Sequence, residues 1–185
     1  MSQNRFINGM GRTKLRGMLI ISNIEDAPQV AADVCPSKIV TLVCEDEPTP
    51  VFAGYGPDDH LVLYVEDESD SSKLHDGAKT RAEKLVEFAG SWDGKGDILV
   101  HCNRGVSRST AAAFIISCVR QPQIDEAELI KRMRDVAPHA DPCMLLVHYA
   151  DEILDRHGRM LDAVADLEPP SPAIAAPTVS IPIAA

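Results

Sequence analysis

Short apolar runs alternate with amphipathic segments along the first hundred residues. Four runs rich in β-branched residues, at 17–22, 38–44, 60–65 and 97–101, predict strands, and a polar segment at 25–34 predicts a helix between the first two. Another helix is predicted by apolar residues that recur at helical spacing before Gly90. These residues are Ala78, Ala82, Leu85, Val86 and Ala89. Strands that alternate with helices predict an α/β domain with a mainly parallel central sheet flanked by helices.

The pattern in the second half of the chain predicts helices. The segment 109–119 is apolar on all sides, which indicates a helix buried at the centre of the domain. Asp125 with Glu128 predicts the N-terminus of a further helix, and Asp141 with Pro142 predicts the N-terminus of another.

The two ends of the chain differ in composition from the rest. Residues 1–16 carry four basic and no acidic side chains, and residues 169–185 contain five prolines and no charge. We therefore expect a basic N-terminal arm at 1–16 and a single folded domain at 17–168. The Pro/Ala-rich tail at 169–185 is expected to be disordered or loosely packed.

Composition and charge exclude several classes of partner. The chain has 185 residues, 45% of them hydrophobic, which suits one domain with a sizeable core. A net charge of -10 argues against nucleic acid or an anionic membrane as the main partner. Five widely spread cysteines argue against a disulfide framework, and no apolar run is long enough to span a bilayer, so we expect a cytoplasmic protein. The stretch 45–72 holds nine acidic side chains and no Lys or Arg, and we interpret it as a solvated loop.

The sequence HCNRGVSRST, at 101–110, joins a predicted strand to the predicted buried helix. Open α/β sheets bind their ligands at this edge, and the first amides of a helix, at the positive end of its dipole, favour an anion. The same field favours the thiolate form of Cys102, which is a strong nucleophile near neutral pH. The residues expected to bind the anion are Asn103, Arg104, Gly105, Val106, Ser107 and Arg108.

Cys102 and Arg108 together indicate chemistry at phosphorus. Gly105 permits the tight curl that a Cβ would obstruct, and the planar guanidinium of Arg108 matches two phosphate oxygens. A thiolate at the floor of an anion site, with an arginine that binds two oxygens, is suited to attack a phosphate ester.

This stretch resembles the His-Cys-x-x-Gly-x-x-Arg-Ser/Thr signature of the cysteine-dependent protein tyrosine phosphatases. The short chain, with LYVEDESD upstream, is similar to their compact dual-specificity branch. The likeness is most specific at 101–110 and looser over 17–155. It implies a phosphatase that hydrolyses phosphotyrosine, or has dual specificity, on proteins. It also implies a phosphocysteine intermediate on Cys102, phosphate binding by Arg108, and help from the Ser109 hydroxyl when the thiolate leaves.

The resemblance further implies a general acid just after the strand at 60–65, which is Asp67 in this chain. The alternatives are Asp70, and then Asp76 or a neighbouring glutamate. Such an acid protonates the leaving group as it departs, and then acts as a base.

The resemblance bears on three further residues. His101 is expected to tune the thiolate through a hydrogen bond, and Cys44, at the end of a strand of the same sheet, is a possible redox partner of Cys102. One position departs from the family pattern, because Cys143 follows Pro142 where relatives often have asparagine.

No metal and no other cofactor is expected, because the cysteines and the remaining histidines lack paired ligand spacing. The expected partner is a phosphorylated protein or another phosphomonoester. The acidic stretch disfavours polyphosphoinositides, although Arg104 acts in the opposite direction. The alternative functions are a non-catalytic phosphate-binding module and another thiol enzyme, such as a sulfurtransferase or an arsenate reductase.

Overall fold

The computed structural model describes residues 17–65 and 77–183, which form five strands and six helices. In chain order they are β1 Met18–Asn23, α1 Ala27–Val34, β2 Lys38–Val43, β3 His60–Tyr64, α2 Ala78–Ser91, β4 Ile98–Cys102, α3 Arg108–Arg120, α4 Glu126–Val136, α5 Met144–Ile153, α6 Arg159–Ala165 and β5 Val179–Pro182. The predicted basic arm at 1–16 lies outside the described residues.

A five-stranded sheet with the order β3-β2-β4-β1-β5 forms the centre of the domain. β1, β2, β3 and β4 run parallel, and β5 runs antiparallel to β1. This arrangement confirms the predicted α/β fold with a mainly parallel sheet. Cys102, the last residue of β4, is in register with Leu42 of β2 and Asn23 of β1. The carboxyl ends of three adjacent strands therefore meet at Cys102, because parallel strands end at the same edge of a sheet.

Helix α3 packs on the central strand and is surrounded by other helices on that face of the sheet. Its residues from Arg108 to Cys118 are all buried, which confirms the helix that the apolar pattern predicted. α2, α4 and α5 pack around it, and α6 packs against α4 and α5. The opposite face is covered by α1 and by Phe52 from the loop after β2. Within the described ranges, no helix combines the length and the apolar composition needed to cross a bilayer.

The two predicted helix starts have different outcomes. Asp125 caps α4, since its side chain accepts a hydrogen bond of 2.9 Å from the amide of Ala127. The start at Asp141 and Pro142 is wrong, because α5 begins at Met144 with Cys143 as its N-cap residue. The segment before Met144 is instead held against the loop at 103–107, because the amides of Asp141 and Cys143 donate to the carbonyls of Val106 and Ser107.

The expectation of a disordered or loosely packed tail is wrong for residues 176–183. β5 pairs with β1 through four residue pairs, and the side chains of Ile181 and Ile183 are buried in the main core. The alternation of these isoleucines with Pro182 suits a strand with one buried face. Pro182 is tolerated because β5 is an edge strand.

Candidate active site

The loop between β4 and α3 brings Cys102 and Ser109 together beneath a turn of five residues, 103–107. Cys102 is only 2% exposed, and Ser109, in the first turn of α3, is fully buried. The Sγ atom of Cys102 and the Oγ atom of Ser109 form a hydrogen bond of 3.2 Å. When the sulfur is a thiolate, the serine hydroxyl is the donor of this bond.

Hydrogen bonds from neighbouring segments hold four backbone carbonyls on the outside of this loop. The amide of Ile24 donates to Asn103 (3.1 Å), Ala176 to Arg104 (2.8 Å), Asp141 to Val106 (3.0 Å) and Cys143 to Ser107 (3.4 Å). In a planar trans peptide the N–H points away from the C=O. The four amides that follow these carbonyls therefore face the inside of the curl. They belong to Arg104, Gly105, Ser107 and Arg108.

Gly105 allows the loop to lie directly against the end of β1. Its φ is +73°, in the left-handed region, and a Cβ there would lie 3.1 Å from the amide nitrogen of Asn23 and from the carbonyl carbon of Ser22. The sequence prediction that a Cβ would obstruct this curl is confirmed by this contact. Any larger residue would move the loop away from β1.

Arg108 is buried, with 7% of its surface exposed, and is held by the loop after β2. Its Nη1 donates to Oε2 of Glu47 (3.0 Å), to Sγ of Cys44 (3.1 Å) and to the carbonyl of Val65 (3.2 Å). Its Nη2 donates to Oε1 of Glu47 (3.3 Å). None of these four bonds uses the Nε–H or the second Nη2–H. These two donors lie on one edge of the guanidinium, and such an edge binds two oxygens of a phosphate.

Glu47 is a fixed anion at this position. Its burial opposes ionisation, but hydrogen bonds from Arg108, from the amide of Cys44 (2.6 Å) and from the Asn103 side chain outweigh burial and lower the pKa of Glu47 to about 2. The pKa of Arg108 is raised: burial disfavours its charge, but the contacts with Glu47 and the nearby thiols of Cys102 and Cys44 favour it. The pair is therefore ionised at every pH at which an enzyme is assayed.

Sequence reasoning missed Glu47, because the acidic stretch was interpreted as a solvated loop. That interpretation is wrong for this residue, whose side chain is only 17% exposed and binds Arg108. A signal was present in the sequence. Glu47 comes three residues after Cys44, at the carboxyl end of a predicted strand, and parallel strands bring such residues to one edge.

His101 lies on the other face of the sheet from Cys102, as neighbours in a strand must. Its Nε2 forms a hydrogen bond of 2.7 Å with the hydroxyl of Thr41, which also bonds to Nε2 of His60 (2.8 Å). Phe52 packs edge-on against both rings. Burial, together with the charge of His60, lowers the pKa of His101 to about 4, so this imidazole is neutral. Its side chain thus bonds to β2 and not to the sulfur.

The remaining predicted residues fall into two groups. Cys44 lies at the site, where its sulfur contacts Arg108, and Cys143 supports the loop through its backbone amide, which donates to the carbonyl of Ser107. The candidate acids Asp67, Asp70 and Asp76 lie outside the described residues.

No protein-family model matches the chain, and no curated protein sequence matches it. Solved structures do match it. The PTP-2 phosphatase of Cydia pomonella is 20% identical over 72% of this chain and 84% of its own, with a TM-score of 0.52. DUSP15 is 16% identical over 84% of this chain and 96% of its own, with a TM-score of 0.54. PTPMT1, solved in complex with PI(5)P, is 17% identical over 75% and 94%, with a TM-score of 0.52. The chain therefore has the fold of these phosphatases.

Proposed function

We propose that this chain is a phosphatase that hydrolyses phosphate monoesters on proteins, with phosphotyrosine or dual specificity, through a phosphocysteine on Cys102. The observation that carries the proposal is the loop itself. Cys102 is hydrogen-bonded to Ser109 and lies beneath four loop amides. The carbonyl that precedes each of these amides is held on the outside of the loop. Such a ring of preoriented donors stabilises the charge of a phosphoryl group during transfer.

In the first step the substrate phosphate binds to the loop amides and to Arg108. The Cys102 thiolate attacks phosphorus, an S–P bond forms, and the P–O bond to the leaving group breaks. The negative charge that leaves the sulfur is taken up by the departing oxygen. Because Glu47 occupies one end of the guanidinium, Arg108 presents its Nε and Nη2 edge to the phosphate.

The departing oxygen needs a proton, and we assign its donor to Asp67. The assignment rests on the position of Asp67 two residues after Val65, whose carbonyl contacts Arg108. The resemblance to the phosphatases implies a general acid just after the strand that ends at this point. Asp67 loses its proton in this step and becomes the base of the next one.

In the second step water attacks the phosphocysteine. Asp67 takes a proton from the water, a P–O bond forms, the S–P bond breaks, and inorganic phosphate is released. The charge returns to sulfur, and the Ser109 hydroxyl donates a hydrogen bond to the thiolate as it leaves. This donation is the role we propose for Ser109.

The proposed substrate is a phosphorylated protein of the cytoplasm. The acidic stretch at 45–72 disfavours polyphosphoinositides, although Arg104 acts in the opposite direction. One neighbour in fold, PTPMT1, was solved with PI(5)P, which makes that lipid the informative competitor.

The test is a set of assays on one preparation of the full chain. Release of phosphate from a phosphotyrosine peptide, and from p-nitrophenyl phosphate, supports the proposal, and PI(5)P should be hydrolysed more slowly. Transfer of sulfur from thiosulfate to cyanide, or reduction of arsenate with thioredoxin, would indicate a different thiol enzyme. Binding of phosphate without turnover of any ester would indicate a phosphate-binding module.

A further inference from the structure

The C-terminal segment touches the phosphate-binding loop as well as the sheet. We propose that Ala176 and Asn23 are positioning residues that together aim the amides of Arg104 and Gly105 at the bound oxyanion. This inference rests on the proposed function, and it assigns a catalytic purpose to a segment that follows the helices of the domain.

The backbone of Ala176 makes two hydrogen bonds in opposite directions. Its amide donates to the carbonyl of Arg104 (2.8 Å), and its own carbonyl accepts from Nδ2 of Asn23 (3.0 Å). Ala176 is 2% exposed, so water does not compete for either bond. One peptide segment thus joins the phosphate-binding loop to the end of β1.

Asn23 extends this connection to a second carbonyl of the loop, that of Asn103. Its Oδ1 accepts from the amides of Glu25 and Asp26, at 2.9 Å each, and so shapes the turn after β1. Within that turn the amide of Ile24 donates to the carbonyl of Asn103 (3.1 Å). Ala176 and Asn23 therefore act on two successive carbonyls, those of Asn103 and Arg104.

Peptide geometry converts these contacts into an effect on the oxyanion. The carbonyl of Asn103 shares a planar peptide with the amide of Arg104, and the carbonyl of Arg104 shares one with the amide of Gly105. When the two carbonyls are held on the outside, the two amides point inward. If the Ala176 bond is lost, the peptide between Arg104 and Gly105 gains freedom to rotate, because glycine tolerates most backbone angles.

The tail is anchored well enough to perform this role. β5 pairs with β1, and the amide of Ile183 donates to the carbonyl of Gly17 (3.1 Å). Closer to Ala176, the hydroxyls of Thr178 and Ser22 are hydrogen-bonded at 2.9 Å. This last contact fixes the same tail to β1 without involving the phosphate-binding loop, so it provides a matched control.

The experiment measures tungstate binding by calorimetry, and thermal unfolding, for three variants of the full chain. Ala176→Pro removes the amide donor and keeps the carbonyl acceptor, but it also fixes φ and adds a ring at a buried position, which is why thermal unfolding is measured beside binding. Asn23→Ser keeps an oxygen that can shape the turn but lacks the Nδ2 donor. Thr178→Val is the control. We expect Ala176→Pro and Asn23→Ser to weaken tungstate binding about three- to tenfold, which is the effect of one lost hydrogen bond. The KM for p-nitrophenyl phosphate should rise in parallel, and Thr178→Val should bind tungstate as the parent chain does.

The outcomes are separable. Unchanged tungstate affinity in both Ala176→Pro and Asn23→Ser, or equal weakening in Thr178→Val, would overturn this inference and leave the proposed function intact. If Ala176→Pro does not fold, Asn23→Ser decides. A parent chain that binds tungstate but hydrolyses no ester would overturn the proposed function alone, and a parent that binds no tungstate would overturn both.

Discussion

The carboxyl ends of β4 and β2 lie side by side, yet they contribute different chemistry. β4 continues into a loop that turns backbone amides and Cys102 toward an anion, and so forms the receptor. β2 continues into a loop that supplies a carboxylate, Glu47, which binds the arginine of that receptor. The anion site of this chain thus contains a carboxylate of its own. Without Glu47, the buried Arg108 would keep its contacts with Cys44 and Val65 but would lose its carboxylate partner.

The two strands are also joined on the opposite face. There Thr41 of β2 and His101 of β4 are register partners and share a hydrogen bond. The pair at the strand ends is ionic, and the pair within the sheet is neutral. Their responses to mutation and to pH should therefore differ.

The largest effect on turnover is expected for the proton donor, which comes from neither the β2 end nor the β4 end. We predict that Asp67→Asn lowers kcat for a phosphotyrosine peptide by about 10² to 10⁴, the usual contribution of a positioned acid. Substrates with good leaving groups should be affected much less, because they depart without a proton. The matched control is Asp70→Asn, and steady-state kinetics with both substrates is the measurement. A larger effect in Asp70→Asn would transfer the acid assignment to Asp70.

A double-mutant cycle tests the connection between the two strand ends. We predict that Arg108→Ala lowers kcat/KM by about 10² to 10³, because it removes a donor to the transferring phosphoryl group. Glu47→Gln should lower it by about ten- to a hundredfold, since Glu47 acts by orienting Arg108. The double variant should be no worse than Arg108→Ala, because the two residues act as one unit.

Glu45→Gln, an exposed neighbour, is the control for this cycle. The account fails if Glu47→Gln binds phosphate more tightly than the parent chain does, since Glu47 would then compete with the substrate for Arg108. Since the pKa of Glu47 is about 2, the stability that its ionised form contributes is present above pH 4.5. It is lost as the pH falls toward 2, below the range of these assays.

The smallest expected effect is on stability, and it comes from the neutral pair of Thr41 and His101. The pKa of His101 is about 4 in the folded chain and 6.5 in its ordinary state, so the unfolded chain takes up this proton first. We predict that the free energy of unfolding falls by about 3 kcal/mol from this residue as the pH drops from 6.5 to 4. The pKa values of His60 and His139 are also lowered by burial, and they act in the same direction.

Urea unfolding at a series of pH values, for the parent chain and for His101→Gln, measures this contribution. The free energy of unfolding of the variant should fall less steeply than that of the parent chain between pH 6.5 and 4. An identical slope in the two proteins would show that His101 is not held neutral by the sheet.

The anion-binding loop after β4 could be predicted from the sequence. Glu47, in the loop after β2, could not. The spacing of Cys102, Gly105 and Arg108 is local, and each residue type has one physical reason to be there. The partner of Arg108 depends on which strand lies next to β4. That adjacency is a property of the whole sheet, and the acidic composition around Glu47 concealed it.

The tail shows the same limit for the fold. Prolines and the absence of charge predicted disorder, yet Ile181 and Ile183 pack in the core because β1 has an edge at which another strand can pair. Composition describes the intrinsic preference of a segment. It does not reveal that another part of the chain offers a surface on which the segment can fold.

The most direct test of the account is to trap the phosphocysteine. Ser109→Ala should slow the second step more than the first, so that the phosphorylated enzyme accumulates during turnover of p-nitrophenyl phosphate. After an acid quench, intact mass and peptide mapping should show one phosphoryl group on Cys102, together with a burst of nitrophenol equal to the enzyme present. Cys102→Ser should show neither the adduct nor turnover. Hydrolysis by Cys102→Ser, or a phosphoryl group found on another residue, would contradict the account.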